Sequence, residues 1–114
     1  AISPVETQVT ALNGTTDVDI IDAPASSTDR LVYAIIVHNR DTVAHKVTLI
    51  WDDNGTDYDF MEIVVPSGKT WPRSPGEGIG RLILSSTTTK IQANSDAAAT
   101  STEPVVLATY IDRT

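Results

Sequence analysis

Between Trp51 and Phe60 the chain places Asp52, Asp53, Asp57 and Asp59 close together, and Glu62 follows. Two chemistries use such a set: a hard cation held by carboxylate oxygens, or a carboxylate pair working as acid and base. The first is tested by spacing. A calcium loop of the EF-hand kind needs oxygen ligands at positions 1, 3 and 5, glycine at 6 and glutamate at 12. Counting from Asp52 as the first position puts Asn54, Thr56 and Asp57 at the third, fifth and sixth, and Ile63 at the last. The pattern fails where its geometry is strictest. Asp57 and Asp59 share one strand face, about 6.6 Å apart along the strand, but a short strand alone supplies no cleft. Asn54-Gly55 between two alternating runs is instead a hairpin signal, because both residues accept a positive φ.

His38 and His45 flank the next turn upstream, with Asp41 between them. Facing each other across its base, they would suit a transition metal; as turn-flanking polar residues they need no ligand, and that reading is favoured. No serine sits in a nucleophile elbow, and no phosphate loop or zinc-binding helix motif is present. The chain has no cysteine, so within it neither disulfides nor thiolate metal sites form. Asn13-Gly14-Thr15 and Asn54-Gly55-Thr56 match glycosylation sequons, and turn chemistry accounts for both. Trp51, Trp71 and Tyr58 are the aromatic candidates for a carbohydrate surface. Trp51 continues the Val47, Leu49 row and is expected in the core. Trp71, beside a Gly/Pro loop, is the better contact residue. No catalytic residue, cofactor or metal is expected. The candidate partner-contact residues are Trp71, Arg73, Tyr58, Asp57 and Asp59.

The elements that would position these residues are short and β-rich. Val18 and Ile20 alternate with Asp17 and Asp19. Residues 31–37 are apolar on both faces, as in a strand that is central or covered by a partner. Val47, Leu49 and Trp51 alternate with Lys46, Thr48 and Ile50. Further runs cover residues 5–12, 56–66, 81–86, 87–94 and 104–112, with a short KTWP piece at 69–72 and a loop over 72–80. No segment carries a 3.6-residue apolar stripe, and turns recur about every eight to twelve residues. The pattern predicts one all-β domain over residues 1–114, an antiparallel β-sandwich or jelly-roll-like barrel of about eight strands, with residues 1–4 a flexible N-terminal arm.

The 114 residues carry a net charge of −7. The basic residues are scattered, which argues against a nucleic-acid partner. The longest apolar run is too short to span a membrane as a helix. No secretory signal is recognised, and the start at Ala1 is expected to follow removal of an initiator Met or a leader.

The order of features resembles small β-sandwich virion proteins of tailed bacteriophages. The stretches that carry the likeness are LVYAIIVHNRDTVAHKVTLIW, DFMEIVVPSGKTW and TKIQANSDAAATSTEPVVLATYID, and the resemblance extends over about residues 16–112, nearly the whole chain. The resemblance implies a non-enzymatic structural protein in the virion, made in the host cytoplasm. The leading expectation is a capsid decoration or cement protein that binds the major capsid protein, as a homo-oligomer, most often a trimer. A tail or neck accessory protein and a carbohydrate-binding module are the alternatives. The acidic hairpin and the PRSPGEGIG loop depart from the family pattern. The sparsely charged TKIQA stretch is read as an edge strand that assembly would cover.

Overall fold

The computed structural model describes residues 4–74 and 78–114. Most of the expected N-terminal arm and the middle of the 72–80 loop lie outside the described residues. The strands are β1 (Glu6–Ala11), β2 (Val18–Ile21), β3 (Asp29–His38), β4 (His45–Asp53), β5 (Thr56–Val65), β6 (Thr70–Trp71), β7 (Leu82–Leu84), β8 (Thr89–Ser95) and β9 (Val105–Arg113). No helix among the described residues is long and apolar enough to cross a membrane.

Two antiparallel sheets form a sandwich. One runs β1-β9-β3-β6, with β7 also on β3; the other runs β2-β8-β4-β5. The pairs are nested: β4 with β5, β3 with β6 and β7, β2 with β8, β1 with β9. A long hairpin rolled up in this way is a jelly roll. The strand count exceeds the expected eight because KTWP and RLILSS each contribute a short piece to one lane: β6 pairs with His38 and Val37, β7 with Val32 to Arg30.

The alternation read from the sequence fills the core. Val47 and Leu49 of β4 face Ile91 and Ala93 of β8 and Ile35, Val37 and Val106 of the other sheet in one buried cluster. A bulge between Val32 and Ala34 resets the period, so Val32 and Ile35 are both buried while Tyr33 is exposed. A second bulge in β2 lets Ile20 and Ile21 both face inward. The doubly apolar segment 31–37 is central in its sheet, between β9 and the β6/β7 lane. TKIQA is not an edge: it lies in β8, between β2 and β4. Its low charge reflects neighbours within the chain.

The Asn54-Gly55 turn forms as expected. Asp53 pairs with Thr56, leaving a two-residue loop with φ of 52° at Asn54 and 89° at Gly55, the signs a type I′ turn requires. No atom lies within 4 Å of a Cβ added at Gly55. Gly55→Ala therefore adds backbone strain and no clash, and is expected to cost about 1–2 kcal/mol. Urea unfolding would show this as a lower midpoint at an unchanged m-value.

Candidate functional site

The aspartates are built into the hairpin rather than gathered around a ligand. Asp52 Oδ1 accepts the Gly55 N–H at 2.9 Å, and Asp53 Oδ1 accepts the Thr89 hydroxyl at 3.2 Å. Asp57 and Asp59 are exposed. Their position follows from the register, which sets Asp57 opposite Asp52 and Asp59 opposite Ile50, with Lys90 on the far side of Asp52. Desolvation and the negative charges of Asp52, Asp17 and Asp59 hold the Asp57 carboxyl above its ordinary range. An open depression of about 420 Å³ beside the turn is lined by Asp52, Asn54, Gly55 and Lys90 among others. Among the described residues no group of three or more His, Asp or Glu side chains is arranged to hold a metal ion.

The expected contact residues do not form one surface. Trp71 pairs with Val37 and packs against the core cluster, with Arg73 exposed just beyond it. The β5 end nearest to them is Val65, since Asn39 binds both the Val65 carbonyl and Lys69. Asp59 lies six residues further along β5, roughly 20 Å away at the strand rise. Tyr58 is exposed near the opposite end. Trp71 and Tyr58 thus make no shared aromatic platform. Trp51 packs against the core, as expected.

The histidines do not face each other. His38 ends β3 in one sheet and His45 begins β4 in the other, because the chain crosses between sheets there. His38 bonds Thr70 at 2.8 Å across its own sheet. His45 occupies the first inward position of the Val47, Leu49, Trp51 row, and it is buried. Its Nε2–H donates to Asp41 Oδ2 at 2.6 Å. Its Nδ1 lies 2.8 Å from Ser95 Oγ and 3.1 Å from Asp96 Oδ1. Asp41 also accepts the backbone N–H groups of Thr42, Thr100, Ser101 and Thr102. Asn39 completes the assembly: Oδ1 accepts the Asp41 N–H, and Nδ2 donates to the Val43 and Val65 carbonyls.

Ser95, His45 and Asp41 have the contacts of a charge-assisted nucleophile, but they are buried within the end of the sandwich. The hydrogen bond from His45 holds Asp41 well below the usual carboxylate range, against the opposing effect of its burial and with help from the N–H groups of Thr100, Thr42 and Ser101. Burial pushes His45 down, yet its bonds to Asp41 and Asp96 outweigh this and raise it. Burial likewise opposes the charge on Asp96, which the bonds from His45, Lys46 and Ser95 stabilise into a lowered value. The ring thus sits between two carboxylates that favour its charged form. The Ser95 hydroxyl donates to Asp96 Oδ1 at 3.2 Å. Ser95 and His45 are each only 2% exposed, so the hydroxyl is closed off from solvent and from any substrate in this arrangement. The cluster is a clamp: it ties the β3–β4 loop, the start of β4 and the β8–β9 loop across one end of the sandwich. The sequence pattern sets Asp41 in a turn and His45 at the start of the next strand, as observed, without showing the contact between them. The readable signal was the continuation of the inward row back to His45.

The other end is closed by Arg30. Its Nε and Nη2 grip Asp112 at 2.8 and 3.0 Å, Nη1 donates to the Asp22 carbonyl, and the guanidinium stacks 4.3 Å from the Tyr110 ring centre.

The outer faces of the two sheets differ in kind. The β2-β8-β4-β5 sheet presents Asp17, Asp19, Asp57, Asp59 and Glu62, with Lys46 and Lys90 paired to Glu62 and Asp19 and with Val64 exposed beside Lys46. The other sheet presents two apolar rows set by the register. Val9, Leu107 and Ile36 form one; Ile111, Leu31 and Ile83 form the other. Val9 is 64%, Ile83 51%, Tyr33 40% and Ile36 37% exposed.

No family model matches this sequence, and no curated protein matches it. Among solved structures, the fold is similar to a chain of the Bacillus endospore appendages, described as a novel family of disulfide-linked pili. The TM-score is 0.54 at 17% identity, over 99% of this chain and 88% of that one. At that identity the likeness establishes the fold, a two-sheet all-β sandwich. The linkage named for those pili has no counterpart within these 114 residues, which contain no cysteine.

Proposed function

We propose that the chain is a non-enzymatic structural subunit that works as a homo-oligomer on a larger particle, with decoration of a virion head as the leading role. The observation that carries this reading is the pair of exposed apolar rows on the outer face of the β1-β9-β3 sheet. A folded monomer rarely leaves such a face uncovered without a partner. The burial of the Ser95, His45 and Asp41 cluster supports the non-enzymatic part. The sequence resemblance to virion proteins supports the particle, and the major capsid protein is the partner it implies. A filament subunit is the second reading, supported by the pilus described above; fold alone does not choose between them.

Immunogold electron microscopy on particles from the producing culture tests the reading. Label regularly spaced on capsid surfaces is expected. Label along filaments would favour the second reading, and label confined to the cell interior would overturn both.

A further inference from the structure

We propose that the outer face of the β1-β9-β3-β6/β7 sheet binds the same face of a second copy of this chain across a two-fold axis. This rests on the structural-subunit reading and names the surface that serves it.

Charge selects the occupant. The chain carries −7 overall, yet the two apolar rows of this face and the Ala34, Thr109 and Thr7 row between them are uncharged, and the Asp29–Arg113 row at its end pairs opposite charges. Beside them Arg113 pairs with Asp29, Arg81 lies over the Tyr33 ring, and the Glu6 carboxylate accepts the Tyr110 hydroxyl. Two copies therefore meet here without the repulsion their net charge would cause elsewhere. Stacking one copy's apolar face on the other's acidic face would desolvate Asp57, Asp59 and Glu62 against hydrocarbon, which costs several kcal/mol per unpaired carboxylate. The faces are thus complementary to themselves and not to each other. That excludes head-to-tail stacking of sheets and leaves an isologous, closed pair, in place of the three-fold the resemblance implies.

Area is sufficient. The ten residues of β3 span about 33 Å, and the lanes across the sheet about 19 Å. The flat projection is roughly 600 Å², the lower end of what each partner buries in a specific stable complex. Sheets packed face to face at about 10 Å interdigitate such rows. A recess of about 220 Å³ beside Ile36, lined also by Tyr33, Pro72 and Ile79, deepens the face where the β6/β7 lane is interrupted.

Sedimentation equilibrium of the purified chain tests this, with Ile36→Glu and Val9→Glu as face variants and Val64→Glu, exposed on the acidic sheet, as control. Wild type and Val64→Glu are expected at twice the chain mass, with each face variant weakening dimerisation roughly a hundredfold or more. Both altered side chains are solvent-exposed in the single chain, so circular dichroism should show the variants folded. An oligomer that both face variants leave intact, or one of odd stoichiometry, would overturn the proposed face and leave the subunit reading standing. Wild type monomeric at about 1 mM would overturn the self-pairing, and the homo-oligomer with it.

Discussion

Replacing Asp41 with alanine is expected to lower the melting temperature by on the order of 10 °C at pH 6. The substitution takes away the closer of the two carboxylate partners of the buried His45 ring. It also strips the acceptor from the N–H groups of Thr100, Ser101 and Thr102. The same clamp sets the pH profile. His45 is raised in the folded chain, so its stabilisation is complete below its unfolded pKa of about 6.5 and is lost as pH rises through the folded value. Asp41 and Asp96 are lowered. Their contribution is present above the unfolded value of about 3.9 and is lost as pH falls through the folded values. Stability should therefore plateau between about pH 4 and pH 6.5 and decline on both sides. Differential scanning calorimetry from pH 3 to 9 checks this. Asp96→Asn, at a position whose side chain is 42% exposed, should keep the fold and move the alkaline decline to lower pH. A melting temperature flat from pH 6 to 9 in the wild type would remove His45 as its origin.

Asn39→Ala is expected to cost about 3–5 kcal/mol, since it leaves the Val43 and Val65 carbonyls and the Asp41 N–H without their partner in a buried place. Asn39→Asp separates donor from acceptor. It keeps an oxygen for the Asp41 N–H but turns a second oxygen toward two carbonyls, beside a carboxylate already present. It should be at least as damaging as alanine. Urea titration of the three proteins at the same pH, about 6, gives the comparison. A loss within 1 kcal/mol of zero for Asn39→Ala would show that water replaces the amide there.

Residues that act on near neighbours were legible in the sequence. Asn54-Gly55 sets its own dihedrals, and the Val47, Leu49, Trp51 row follows from a period of two, so hairpin, core and fold class could be read directly. Roles set by distant partners were not. Asp41 is held by Thr100, Ser101 and Thr102, 59 to 61 residues away, and nothing in RDTVAH announces them. His38 and His45 separate because the intervening loop changes sheets, which a local pattern does not encode. TKIQA looked like an edge because low charge marks both a central strand and an edge that a partner covers. Trp71 looked accessible beside its Gly/Pro loop, but pairing with Val37 turns it to the core. The apolar outer rows were half visible: Leu31 and Ile36 stood out in a doubly apolar run, whereas Val9, Leu107 and Ile83 joined them only through register.

The nested pairing also orders the making of the molecule. The β4–β5 hairpin closes a two-residue loop, whereas Glu6 and Tyr110, joined at 2.8 Å, are 104 residues apart. Loop-closure entropy rises with separation, and long-range pairing is slow. The route of least entropic cost therefore starts at the acidic hairpin and zips outward through β3 and β8, with β1 closing last. β1 and β9 supply Val9, Leu107 and Ile111 to the apolar rows, so the proposed pairing surface is complete only when the roll has closed. A half-folded copy then lacks the face to recruit another, which builds a checkpoint against premature assembly into the winding of the chain.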